Sequence, residues 1–206
     1  MLKKMLNFPL IYQSLQEAGG FFDARVKAMN EFLNIREGAR IIDVGCGPGH
    51  IVKHIPKKVD YIGFDIDQSY IDFANKHFSD RGRFNCRFFD DKAAKELFPA
   101  DIVMMNGVMH HMSDDELSAT MNNARSVLAP GGLLFTLDGC YVEGQSKFRK
   151  WILDRDRGQY VRNQAGYEKI IRKAFDKVEL HIREAYSHVP YTFVIGLASK
   201  SPPGTP

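Results

Sequence analysis

At 206 residues the chain is long enough for one domain with a full core, and 44% hydrophobic with 26% charged residues excludes a disordered or fibrous class. A net charge of +3 falls well short of a typical nucleic-acid binder. Cys46, Cys86 and Cys140 are too few and too scattered for a disulfide framework or a zinc site, which fits a reducing cytoplasm and no bound metal.

In chain order, the stretch Met1 to Tyr12 is broken by Asn7 and Pro9 and lacks a small-residue cleavage site, so it does not read as a secretory signal. No apolar run approaches the ~18 residues of a membrane span. Phe22, Val26, Met29 and Leu33 recur at helical spacing and predict an amphipathic helix within an N-terminal cap, residues 1–37. Strand-like runs follow at Arg40–Val44, Val59–Phe64, Phe84–Phe89, Ile102–Met105 and Leu133–Leu137. Between them lie helix patterns marked by Tyr70, Ile71, Phe73, Ala74 and Phe78, and by Leu117, Met121, Ala124 and Leu128. Ser113 and Glu116 form a capping-box pair before the latter, with Asp114 and Asp115 at the positive end of its dipole. Pro130-Gly131-Gly132 is expected to stop it. This alternation implies βαβ units and a mostly parallel, doubly wound sheet with helices on both faces.

Residues 140–175 interrupt that rhythm and are expected to form a largely helical cover, with Gly139, Gly144 and Gly158 as places to bend. Two last strand-like runs, Lys177–Ile182 and Tyr191–Ala198, suit an antiparallel pair. The domain is expected to end near residue 200, leaving 201–206 as a frayed tail.

The strongest local signal is Asp43-Val44-Gly45-Cys46-Gly47-Pro48-Gly49, where a buried strand runs into a loop with glycine at every second position. Such glycines permit positive φ and a close approach of backbone to ligand. A dinucleotide fingerprint needs G-x-G-x-x-G, and the G-x-G-x-G spacing here does not supply it. The plain alternative is a tight strand-to-helix turn with no ligand. Asp65 shifts the balance, because an acid at the end of the second strand can accept both ribose hydroxyls. As an alternative it would cap the next helix, a role open equally to Asp67 or Ser69.

Together these residues resemble the class I S-adenosylmethionine-dependent methyltransferases. The glycine loop resembles that family's first motif, and Gly63-Phe-Asp-Ile-Asp67 its second-strand acid. Asp101 to His111 is similar to the fourth strand and its loop, and Leu128-Ala-Pro-Gly-Gly-Leu-Leu-Phe135 to the turn into the fifth. The resemblance covers about residues 38–138 and implies a Rossmann-like sheet of seven strands with the last antiparallel. It also implies S-adenosylmethionine as cofactor and S-adenosylhomocysteine as product. Gly45, Cys46, Gly47 and Gly49 would then lie against the cofactor, its methionine part on the first three, with Asp43 just behind. Asp65 would hold the ribose, Ile66 the adenine, and Asp90 or Asp91 the adenine amino group, with Asp90 favoured. Asn106 and Gly107 would close the site near the methionine end. Cys46 reads as a space-filler rather than a reactive thiol.

A hydroxyl acceptor also wants a base. His110 and His111 stand beyond the fourth strand, where a doubly wound sheet opens its crevice, and His111 is the candidate taken. The other reading makes the pair structural; His188 is a lesser candidate. Arg155, Arg157 and Tyr160 sit in a run that could hold an anionic acceptor or equally be a solvated, self-neutralised helix face. Phe148, Trp151 and Ile152 are expected to pack that helix onto the sheet. The acceptor read here is a small molecule. Alternatives are a non-catalytic cofactor-binding module and an RNA methyltransferase, against which stand the modest charge and the absence of an Asn-Pro-Pro-Tyr-like run at Asn106.

Overall fold

A computed structural model describes residues 19–156 and 158–201. Helix α1 (Phe21–Phe32) precedes strand β1 (Arg40–Val44). The glycine loop then leads not into a full helix but into a single 3-10 segment, His50–His54. Next come β2 (Asp60–Asp65), α2 (Gln68–Phe78), β3 (Arg83–Cys86), the short α3 (Asp91–Lys95) and β4 (Ala100–Asn106). A 3-10 turn at Met109–His111 leads to α4 (Asp114–Val127), β5 (Leu128–Tyr141) and α5 (Lys147–Leu153). The chain closes through β6 (Arg162–Asn163), α6 (Gln164–Ile171), β7 (Lys177–Arg183) and β8 (Phe193–Ser199).

Seven strands lie in the order β3-β2-β1-β4-β5-β8-β7, with the two-residue β6 paired beside β5. β1 to β5 pair with one another in parallel. β8 runs antiparallel to both β5 and β7, from Leu133 opposite Ser199 to Gly139 opposite Phe193. The chain leaves β1 for β2 and β3, then returns to place β4 on β1's other side. This reversal opens a crevice at the strands' C-terminal ends.

Unbroken apolar strands arise because both faces of the sheet are covered. Neighbouring residues point to opposite faces. Ile42, Val103, Met105, Leu134 and Val194 enter one core, under α3, α4 and α6. Ile41, Ile102, Met104, Phe135 and Ile195 enter the other, under α1, α2 and α5. The capping box of α4 is present, Ser113 accepting from the Glu116 amide while Glu116 accepts from the Ser113 amide.

Three expectations are corrected. β3 ends at Cys86, because the chain turns at Arg87 to bury Phe89 beneath Phe64. Pro130-Gly131-Gly132 does not separate helix from strand. β5 begins at Leu128, pairs there with Ala100, and passes this stretch in a register shift. Of the three supposed bending points, Gly139 lies inside β5 and Gly158 is packed against a side chain; Gly144 is left-handed, as a turn requires.

Phe135 is fully buried at the centre of β5. Phe135→Ala is expected to lower the unfolding free energy by about 3–5 kcal/mol in urea titration.

Candidate active site

The crevice at the C-terminal edge of the sheet is built first by the glycine loop. Gly45, Gly47 and Gly49 all have left-handed φ, 76°, 54° and 77°. The loop is braced from β2. The Gly45 and Cys46 amides donate to the Phe64 carbonyl, and the Gly47 amide donates to Asp65 Oδ2 at 2.8 Å. Asp65 Oδ1 accepts from the Asp67 amide, while Asp67 itself caps α2 through the Ser69 and Tyr70 amides. The capping alternative for Asp65 is thus filled by Asp67. Burial raises the Asp65 carboxyl above the usual range, against the pull of these amides.

Asp43 is buried behind the loop. Tyr61 donates its hydroxyl to Oδ2 at 2.6 Å, and Oδ1 has no hydrogen-bond partner among the described residues. Burial pushes this carboxyl up to about 6, although Tyr61 and the charge of Arg25 pull it down. Cys46 packs over Gly63, where any Cβ would meet its sulfur at 2.7 Å. Burial, then the charges of Asp43 and Asp65, push its thiol well above the usual cysteine range. That is the environment of an inert space-filler.

Ile66 follows Asp65 with 64% of its surface exposed, an apolar side chain left bare at the crevice edge. Asp90 caps α3 by accepting from the Ala93 amide, and Asp91 pairs with Lys95. At the end of β4 Asn106 is buried, with neither amide oxygen nor nitrogen hydrogen-bonded among the described residues. Gly107 is left-handed, and Arg25 of α1 reaches over it.

Beside Gly107 opens a cavity of about 320 Å³. Phe21, Tyr191 and Phe193 form an aromatic wall, with Phe21 edge-on to Tyr191 at 5.1 Å. Trp151, Ile152 and Arg155 approach from the cover. His110, His111, Asp138 and Asp156 supply the polar surface. His110 lies between two carboxylates. Its Nδ1 contacts Asp138 on β5, and its Nε2 stands 3.3 Å from Asp156 in the cover. Asp138 also accepts from the Met109 and Gly139 amides, and Asp156 from the Tyr191 hydroxyl and the Gly158 amide. Gly158 lies so flat on His110 that a Cβ there would sit 1.9 Å from the ring. Burial alone would lower the His110 pKa; the charge and hydrogen bond of Asp138, then Asp156, outweigh it and hold the ring above the usual histidine range.

His111 is exposed on the cavity wall, its ring 4.1 Å from that of His110. His188 is exposed near Asp23 at the start of α1 and does not line the cavity. Arg155 does line it, stacked over the Trp151 indole at 3.9 Å. Tyr160 does not; its amide donates to the His110 carbonyl and its ring lies near Arg162. Arg157 lies outside the described residues. Trp151 is half exposed and stacks on an equally bare Phe148, so α5 does not bury these rings against the sheet as expected; Ile152 does pack inward.

Arg25, Asp138, Asp156 and Tyr191 are the site residues that sequence reasoning passed over. An acid directly after the apolar run Leu133–Leu137, in a strand buried on both faces, was the available signal for Asp138. The other three come from distant segments with no spacing to mark them.

The raised Asp43 carboxyl carries a testable cost. Its folded-state pKa of about 6 exceeds the ordinary 3.8, so the native state binds the extra proton and stability falls as pH rises through that interval. Asp43→Asn keeps an acceptor for Tyr61 and removes the charge. It is expected to gain up to about 3 kcal/mol at about pH 7.5, with most of that gain absent at about pH 4.5. Urea titrations at the two pH values measure the difference.

Residues 42–134 match a family model described as a methyltransferase domain. A ubiquinone biosynthesis O-methyltransferase from Bradyrhizobium sp. is 30% identical over 107 residues, 50% of this chain and 40% of that protein. A ribosomal protein L11 methyltransferase from Cupriavidus metallidurans is 33% identical over 125 residues, 58% of this chain and 38% of that protein. The chain spans between 28% and 57% of the length of the curated relatives it matches. A TehB-like SAM-dependent methyltransferase from Corynebacterium glutamicum has the same fold at a TM-score of 0.62, 19% identity, and coverage of 93% of this chain and 95% of that one. With the glycine loop, the second-strand acid and this sheet order in place, residues 42–134 form a methyltransferase domain, and the sheet has the Rossmann-like fold of S-adenosylmethionine-dependent methyltransferases.

Proposed function

We propose that this chain transfers the methyl group of S-adenosylmethionine to a small-molecule acceptor held in the cavity beside Gly107. The observation that carries the reading is the junction of two spaces at one point. The crevice formed by the glycine loop, Asp65 and Asn106 meets the 320 Å³ cavity where β4 ends.

The residues present fit the cofactor. The unmatched Asn106 amide and Asp43 Oδ1 are buried polar atoms that a ligand's amino and carboxylate groups would satisfy. Asp65 keeps lone pairs for the ribose hydroxyls beyond those given to the Gly47 and Asp67 amides. Ile66 offers an apolar face to the adenine, and Asp90 keeps Oδ2 for the amino group, while Asp91 is engaged by Lys95. Bound there, the cofactor would supply an electrophilic methyl group to a lone pair of the acceptor. The chain's work is then to align the acceptor and exclude water, and alignment alone is worth roughly 7–11 kcal/mol at best.

A hydroxyl acceptor must also lose a proton. His110 has both ring nitrogens turned to carboxylates, Asp138 and Asp156, and so offers neither to an acceptor; His111 on the cavity wall takes that role. The names of the relatives include both a small-molecule pathway and a ribosomal protein. The cavity supports the former, since its volume lies at the low end of the roughly 300–1,000 Å³ of small-molecule sites.

S-adenosylhomocysteine is expected to raise the melting temperature by mass action. Asp65→Ala, removing two charge-assisted hydrogen bonds, is expected to weaken its binding about 100-fold in calorimetry. Stabilisation by a nicotinamide dinucleotide instead would refute the assignment. His111→Gln is expected to cut kcat for a hydroxyl acceptor by about 100-fold with cofactor affinity unchanged; equal turnover across pH would make His111 structural.

A further inference from the structure

The charges lining the cavity are not evenly matched. Asp138 and Asp156 are consumed by His110, Tyr191 and three backbone amides. Arg25 lies close enough to Asp43 and His110 for its charge to act on both. Arg155 bonds the Trp151 carbonyl, at 3.1 Å from Nη1, and stacks on the Trp151 indole, while its charge also acts on Asp154, which is itself held by Lys150 and Tyr141. Among the other described arginines, Arg149 pairs with Glu184, Arg162 with Asp114 and Arg183 with Glu31.

Stacking on the indole and a bond to its own helix fix the plane of the Arg155 guanidinium and leave its other N–H groups along the cavity edge. A planar fork held this way is made for a carboxylate, which it meets with two parallel hydrogen bonds. It shares the cavity with the aromatic wall. Phe21, Tyr191 and Phe193 meet one another at 4.8–6.2 Å between centroids, presenting rings rather than flexible aliphatic chains. Rings gain stabilisation beyond area burial when they meet another ring in offset or edge geometry. The volume suits one ring with its substituents better than a polycyclic body.

We propose that the acceptor is a small aromatic acid: its carboxylate on Arg155, its ring against Phe21, Tyr191 and Phe193, and its methyl-accepting substituent directed toward Gly107. This rests on the methyl-transfer reading and assigns Arg155 as the residue that selects the substrate class.

Trp151 is the chain's sole tryptophan, so its emission reports on the Arg155 edge directly and without turnover. The probes are a panel of hydroxy- and amino-substituted benzoates, their uncharged benzamides, ring-saturated cyclohexanecarboxylates, and phenyl phosphate. Benzoates are expected to change the emission saturably, with the other three sets at least tenfold weaker. Arg155→Gln is expected to weaken benzoate binding roughly 10- to 100-fold, the loss of a bidentate charged pair, and Arg155→Lys to recover only part of it. Circular dichroism and melting temperature check that both variants fold. The proposal is overturned if no benzoate binds, if benzamides, saturated acids or phenyl phosphate bind as well, or if Arg155→Gln binds benzoates like the wild type. Calorimetry with S-adenosylhomocysteine on the same samples separates the two readings. Cofactor binding without benzoate binding overturns the acceptor class alone, whereas loss of cofactor binding overturns methyl transfer.

Discussion

A carboxylate as deeply buried as Asp138 survives only when its lone pairs are filled, because an unpaired buried charge costs several kcal/mol. Its donors come from three places: the Met109 amide in the turn after β4, the next amide of β5 itself, and the His110 ring. Filling Asp138 therefore fixes where the chain goes after β4 and how His110 faces. His110 then presents Nε2 to Asp156, which also receives the Tyr191 hydroxyl from the segment before β8. One buried carboxylate thus organises four segments that are far apart in the chain. The cavity is the space they leave between them.

On the cofactor side the same logic runs through backbone. β1 sits between β2 and β4, so its end is flanked by two strands, and the loop leaving it must turn sharply over Phe64 and Asp65. Three left-handed residues in five make that turn, and glycine alone adopts such φ cheaply. Asp65 holds the Gly47 amide, which makes the acid both a brace for the loop and a bearer of lone pairs at the crevice. The match to the methyltransferase-domain model takes in this loop and Asp65.

The acceptor side is of a different kind. Its wall is assembled from α1, the cover and the approach to β8, and its polar groups are mostly spent on one another. The indole-backed guanidinium of Arg155, in a cavity it shares with three rings, is where the proposed selectivity for an acceptor would reside. A rigid, pre-satisfied frame discriminates better than a flexible one, because little has to be ordered on binding.

The sequence by itself determined the alternating strands and helices, the α4 capping box, the glycine loop and Asp65. Each is a contiguous pattern whose physics is local: an unbroken apolar run in a strand covered on both faces, a side chain satisfying an amide three residues on, glycines that tolerate positive φ. Asp90 and Asp91 stayed ambiguous because both begin a helix, and a cap and a ligand contact look alike in one dimension. The roles of Arg25, Asp138, Asp156 and Tyr191, and the exposure of Trp151, were decided by tertiary structure alone. His110 and Asp156 are separated by forty-six positions, and only the descent of β5 between them puts a carboxylate on each ring nitrogen. Long-range pairing of charges leaves no periodicity behind, since its requirement is on position in space and any spacing along the chain can meet it.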